Sequence, residues 1–239
     1  MSEASDSERT FSARRVALGH FKLFLATPIY DNWVHHAYMM GAVDTLLAFP
    51  GELIVHKQRG SYQPSNRNEL TWRFLQSDAT HLLCVDPDLG WSGADVLKLL
   101  EARQDFVSGI YARKQADRAP AAEFSTAREG PLIEAESVGA GFLLLTRSCL
   151  ERLVAAHPEL HLERDGHNVC ALWQPQFNGR AHYGEDTTFC GHWRALGERI
   201  WVHSQVVLKR HGETSYYPRG FVARAEQTSD VRQPKEGEP

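Results

Sequence analysis

Apolar positions along the first half of this chain alternate between two periods. Phe21 to Ala26 is a continuous apolar run closed by Thr27-Pro28, the pattern of a strand buried on both faces. From Asn32 to Ala48, Val34, Tyr38, Ala42 and Thr45/Leu46 recur at helical spacing, with Asp31 placed as a cap. Leu53 to His56 reads as a second short strand. A turn-rich segment, Gly60 to Ser65, then leads into a helix from Arg67 to Gln76 with Leu70, Phe74 and Leu75 on one face. His81 to Val85 is the next strand, Ser92 caps a helix with Val96, Leu99 and Leu100 inward, and Phe106 to Ile110 is a fourth strand. Strands alternating with helices of this length predict right-handed crossovers and a mostly parallel central sheet flanked by helices, an α/β fold.

The second half reads differently. Residues 115–140 look irregular, and Gly139-Ala140-Gly141 introduces the apolar strand Phe142 to Thr146, followed by a helix from Arg147 to Ala156. Residues 157–180 read as loop, with Trp173 and Phe177 inside them. Gly184-Glu185-Asp186 opens a strongly patterned helix with Phe189, Trp193 and Leu196 inward and Gly197 as its stop. Ile200-Trp201-Val202 and Val206-Val207-Leu208 read as two more strands, before Lys209-Arg210-His211-Gly212. Residues 1–15 and 225–239 are polar and read as disordered tails. No linker or repeat separates the rest, so one domain is expected over 16–224, with halves at 16–114 and 115–224.

Composition narrows the class. The chain has 239 residues, 42% hydrophobic and 23% charged, as in ordinary globular proteins. A net charge of −4 gives no basic excess, so nucleic acid is not an expected partner. The four cysteines lie far apart without CxxC spacing, which suits reduced, buried thiols and a cytoplasmic setting. No apolar run approaches the length of a transmembrane segment.

The chemistry concentrates where the strand 81–85 runs out. In Cys84-Val85-Asp86-Pro87-Asp88-Leu89-Gly90-Trp91, the proline ends the strand and lets the two carboxylates converge. Two hard oxygen ligands at the carboxyl end of a strand suit Mg²⁺ or Mn²⁺ held with a phosphate. A solvated Asp-Pro-Asp turn would read the same way.

Five pieces occur in an order that resembles the GT-A-fold glycosyltransferases, especially the bacterial family 2 type. They are Ala26-Thr27-Pro28, the Arg67-Asn68 helix start, Asp86-Pro87-Asp88, Gly139-Ala140-Gly141-Phe142-Leu143-Leu144, and Gly184-Glu185-Asp186 with the later His211-Gly212. The resemblance spans roughly residues 21 to 212 and implies one GT-A-type domain, a Rossmann-like nucleotide-binding half followed by an acceptor-binding half. It implies that Asp86 and Asp88 form a DxD motif holding Mn²⁺ or Mg²⁺ against the diphosphate of a nucleotide-sugar, with Asp86 nearer the ribose and His211 completing the metal shell. It makes Asp186 the general base and Glu185 a residue that positions acceptor or donor. That carboxylate sits where a helix dipole lowers its pKa, so a useful base needs burial or a neighbouring anion to raise it again. Thr27, Pro28 and Tyr30 fall where the family binds base and ribose, and Arg67 where it would reach the phosphates. Trp91 could offer an apolar face to a sugar ring, Gly141 lets backbone approach the donor closely, and Ser215-Tyr216-Tyr217 resembles a closing loop. The donor expected first is a UDP-sugar, then a GDP-sugar, and transfer is expected to invert. The acceptor, a glycan or other hydroxyl, has no readable code.

Other chemistries lack their motifs. There is no GxxxxGK[ST] loop and no GxSxG elbow, Gly139-x-Gly141 lacks the third glycine of a dinucleotide fingerprint, and His35-His36 is not an HExxH pair. Two rivals keep the fold: a nucleotidyltransferase that makes nucleotide-sugars, and a non-catalytic nucleotide- or carbohydrate-binding protein.

Overall fold

The computed structural model of the protein describes residues 20–115, 118–164 and 166–212. The expected tails and the Ser215-Tyr216-Tyr217 loop lie outside the described residues. In chain order the first half gives β1 (Lys22–Ile29), α1 (His36–Ala48), β2 (Glu52–Arg59), α2 (Gln63–Gln76), β3 (His81–Val85), β4 (Leu89–Gly90), α3 (Gly93–Glu101) and β5 (Phe106–Ile110). The second half gives β6 (Ala122–Glu129), β7 (Leu132–Val138), β8 (Phe142–Thr146), α4 (Arg147–Ala156), β9 (His161–Arg164), β10 (His167–Cys170), β11 (Gln176–Asn178), β12 (Ala181–Tyr183), α5 (Glu185–Ala195), β13 (Ile200–Val207) and β14 (Lys209–Arg210).

Eight strands form one sheet in the order β2-β1-β3-β8-β5-β13-β7-β6, so strands of the two halves interleave. The sheet is mixed, which corrects the mostly parallel expectation. Only β1/β2, β1/β3 and β5/β13 pair in parallel. The other four pairings are antiparallel because β8 and the β6–β7 hairpin enter reversed.

Both faces of the sheet are covered. Along β3, Leu82 and Cys84 enter one buried cluster with residues of α2, α4 and α5. Leu83 and Val85 enter the other with residues of α1 and α3. A strand buried on both sides needs apolar residues at every position, which is why the apolar runs of β1, β3 and β8 are unbroken. Each such side chain contributes about 1.5–3 kcal/mol by leaving water.

Four local expectations change. The segment read as irregular contains the β6–β7 hairpin, turned at Gly130 with φ 58°. Its polar outward residues, such as Glu134 and Glu136, kept it from reading as an apolar run. The segment 157–180 carries the β9–β10 hairpin and β11. The two expected last strands are one, β13, whose register shifts between Val202 and Val207. Helix α1 starts at His36, capped by His35 Nδ1 accepting from the Ala37 N–H at 3.1 Å, not by Asp31. Capping of α3 follows the sequence, and Asp95 reciprocates to make a capping box.

Candidate active site

The carboxyl ends of β1, β3 and β5 open on a cleft of about 750 Å³, at the sheet end where open α/β folds place ligands. Pro28, Tyr30, Arg67, Asp86, Asp88, Tyr111, Lys114, Glu185, Asp186 and Arg210 are among its lining residues.

Arg67 is the hub. Helix α2 begins at Gln63 with Pro64 in its first turn, so Arg67 stands in the second turn and not at the helix start that the sequence suggested. Its side chain is only 6% exposed, and all three guanidinium nitrogens are used. Nε donates to Glu185 Oε1 at 2.9 Å, Nη1 to the Ala140 carbonyl at 3.2 Å and Nη2 to Asp86 Oδ1 at 2.9 Å. The guanidinium also lies 5.5 Å from the centre of the Trp173 ring. Trp173 is itself fixed by α2: its backbone N–H donates to Asn68 Oδ1 and its indole N–H to Thr71 Oγ1, both at 3.0 Å. Burial works against the charge on Arg67, yet Asp86, Asp186 and Glu185 outweigh it and raise its pKa above the ordinary value.

Around Asp86 and Asp88 the structure gathers further cations. Arg210 forks across the pair, Nη2 donating to Asp86 Oδ2 at 3.0 Å and Nε to Asp88 Oδ2 at 3.2 Å. Lys114 Nζ lies 2.5 Å from the same Asp88 oxygen. Burial pushes the Asp86 carboxyl up, but Arg67 and Arg210 reverse this and hold it below the usual range. Asp88 Oδ1 is buried without a hydrogen-bond partner. A two-residue ribbon places Arg210: β14 pairs with β4, Arg210 opposite Leu89, and the His211 N–H donates to the Asp88 carbonyl at 2.8 Å.

Asp186 differs. It stands in the first turn of α5, its Oδ1 is buried and unpartnered, and its pKa is raised from 3.8 to about 6. Burial is the largest cause; Arg67 opposes it, while Glu185 and Asp86 add to it. This is the condition that a base at a helix N-terminus needs.

Several expected residues lie elsewhere. Thr27 is buried beneath the cleft, its hydroxyl 2.5 Å from that of Tyr38. Trp91 does not line the cleft; it is a core residue, edge-on to Tyr38, with its indole N–H donating to Thr45 Oγ1 at 2.8 Å. Gly141 permits a close approach, but to protein: a Cβ there would come within 2.8 Å of the Tyr111 hydroxyl and 2.9 Å of Asp86 Oδ2. Its N–H donates to the Tyr111 hydroxyl at 2.7 Å, and its carbonyl accepts from the Asp86 N–H at 2.8 Å. The His211 ring stacks on His35 with centroids 4.3 Å apart, outside the cleft lining. Among the described residues no group of three or more His, Cys, Asp or Glu side chains is arranged to hold a metal ion. Asp88 keeps one carboxylate oxygen buried and unpartnered, the kind of hard donor that a divalent cation takes.

Tyr111, Lys114 and Arg210 escaped the sequence reading. Tyr111 and Lys114 follow the carboxyl end of β5, and that position was their available signal. Arg210 had none, since its place depends on β14 meeting β4. All four cysteines are buried and free, and burial pushes Cys84 up to about 12.

No family model matches the sequence, and no curated protein matches it. Among solved structures, A197 from STIV superposes with a TM-score of 0.52 at 17% identity, covering 87% of this chain and 100% of that one; this likeness concerns the fold. A UDP-glucose pyrophosphorylase complexed with UDP-glucose gives 0.40 at 8% identity, over 82% and 77% of the two chains. HddC from Yersinia pseudotuberculosis gives 0.32 at 9%, over 60% and 64%. The latter two likenesses are too slight to bear on function.

Proposed function

We propose that the cleft binds a nucleoside-diphosphate sugar, UDP-linked before GDP-linked, and transfers its glycosyl group with inversion to an acceptor hydroxyl, as a GT-A-type glycosyltransferase. The observation that carries this reading is Asp186: a buried carboxyl with an unpartnered oxygen in the first turn of α5, lining one cleft with Arg67, Asp86 and Asp88, its pKa raised chiefly by burial. In the step proposed, Asp186 takes the hydroxyl proton as the acceptor oxygen bonds to the anomeric carbon. The bond from that carbon to the diphosphate oxygen breaks, and the electron pair leaves with the nucleoside diphosphate.

Asp88 would be the first carboxylate to hold Mn²⁺ or Mg²⁺, a Lewis acid that would offset charge on a diphosphate; Asp86, bound by Arg67 and Arg210, and His211, stacked on His35, would each have to turn to join it. Arg210 and Lys114 now bind Asp88; their proposed role is to turn to phosphate oxygens, for which a guanidinium fork is suited. Arg67 keeps Glu185 and Asp86 in register across the cleft.

Calorimetric titration with UDP and GDP, with and without Mn²⁺, tests donor binding, and glycosyl transfer by Asp186→Asn tests the base. Absence of nucleotide binding, or normal turnover by the variant, would refute the reading. One observation favours a second one: Arg113, Lys114 and Arg210 line the same cleft and would suit a longer polyphosphate. A nucleotidyltransferase would release pyrophosphate from a nucleoside triphosphate and a sugar phosphate, which the glycosyltransferase would not.

A further inference from the structure

Helix α1 turns its apolar side outward. Toward the protein it presents Tyr38, Gly41 and Thr45, which are buried. Toward solvent it presents Met39, Met40, Val43, Leu46 and Leu47, exposed by 58, 63, 44, 62 and 76%. These positions recur at helical spacing and make an apolar stripe as wide as those that normally face a core. Trp33 and Tyr30, ahead of the helix, are 67% and 62% exposed. Single exposed apolar residues are ordinary, but a continuous patch marks an interaction site.

The edge strand β2 adds one exposed apolar residue and two charges on the same side of the sheet. Val55, 57% exposed, pairs with Leu25, and Leu25 belongs to the cluster beneath α1 and α3. Strand alternation therefore puts Val55, Lys57 and Arg59 on the side of the sheet that α1 covers, and both cations are exposed.

We propose that this face docks on an anionic lipid bilayer. Trp and Tyr favour the headgroup level of a membrane, an outward Leu/Met stripe suits the acyl boundary, and Lys57 and Arg59 complement anionic headgroups. The acids nearby are Asp31 and Asp44, and the Asp44 carboxylate accepts the Gly93 N–H at 2.7 Å. A second copy docking on the same face would present the same two cations, and the one acid of α1, Asp44, is already held by the Gly93 N–H. Helix α1 has 13 residues, and no helix among the described residues is long and apolar enough to cross a membrane, so α1 lies on the bilayer. Tyr30 also lines the cleft, which brings the cleft rim to the lipid surface.

The test is co-sedimentation of the full chain with vesicles of equimolar phosphatidylcholine and phosphatidylglycerol, against vesicles of phosphatidylcholine alone. Circular dichroism checks the fold of each variant, and sedimentation velocity gives its oligomeric state. Wild type should bind the anionic vesicles. Leu46→Glu/Leu47→Glu should cut partitioning about tenfold or more, and Lys57→Ser/Arg59→Ser should cut it several-fold on anionic vesicles only. Binding unchanged in both double variants overturns the proposal. So does a wild type that ignores vesicles, whether it is a dimer split by the leucine variant, which would make the face an interface between copies, or a monomer throughout.

Discussion

Two acidic pairs line one cleft, joined by Arg67, and the fold treats them in opposite ways. Asp86 is clasped by two guanidinium groups, Arg67 and Arg210, which hold its carboxyl below the usual range. Asp186 shares the influence of Arg67 but carries an unpartnered oxygen, and burial lifts it to about 6. The residue type is the same and the environments differ, so one aspartate is held as an anion while the pKa of the other moves toward neutrality. What decides the difference is the count of cations within reach of each carboxylate.

Removing Arg67 should collapse that contrast with the largest effect. Arg67→Ala takes the shared counter-ion from Glu185 and Asp186 and leaves Asp86 to Arg210 alone, and breaking such a buried network costs about 3–5 kcal/mol. Urea unfolding measures it; a loss below about 1 kcal/mol would mean that the network is not what joins the two sides.

Asp186→Asn should remove most transfer, by about a hundredfold or more, while making the protein more stable at neutral pH. The folded pKa is raised from 3.8 to about 6. The folded state therefore binds the extra proton, and wild-type stability falls as pH rises through that window. By pH 7 the loss is of order 2–3 kcal/mol, and the asparagine variant escapes it. Melting temperatures from pH 3.5 to about 7.5 should diverge with rising pH and meet at the acid end. Parallel curves would show that Asp186 titrates like an exposed carboxyl.

Asp88→Asn should leave the melting temperature nearly unchanged and abolish the effect of Mn²⁺ on nucleotide binding, read by calorimetry. Unchanged metal dependence removes Asp88 from the proposed cation site. His211→Ala should act least, shifting the Mn²⁺ requirement a few-fold, because its ring stacks on His35 and its backbone N–H, which the substitution keeps, donates to the Asp88 carbonyl. A superimposable metal titration would make the histidine a packing residue.

Residue patterns alone determined many of the elements, though not the hairpins in 115–140 and 157–180, and the chemistry on offer. Unbroken apolar runs specify strands buried on both faces, and β3, β5, β8 and α4 fall at the positions their sequences predict. Pro87 stops a strand between two carboxylates, Gly197 follows α5, and Glu185-Asp186 open that helix. These are local matters of backbone restriction and side-chain period. Strand direction was not legible, since an apolar run reads alike in either sense; only the assembled sheet reverses β8 and makes it mixed. Tertiary structure also sent Trp91 into the core and set Trp173 under Arg67. It brought Arg210 to Asp88 across 122 residues of chain. Such contacts join segments with no sequence relation, and the charges they assemble decide which aspartate keeps its proton.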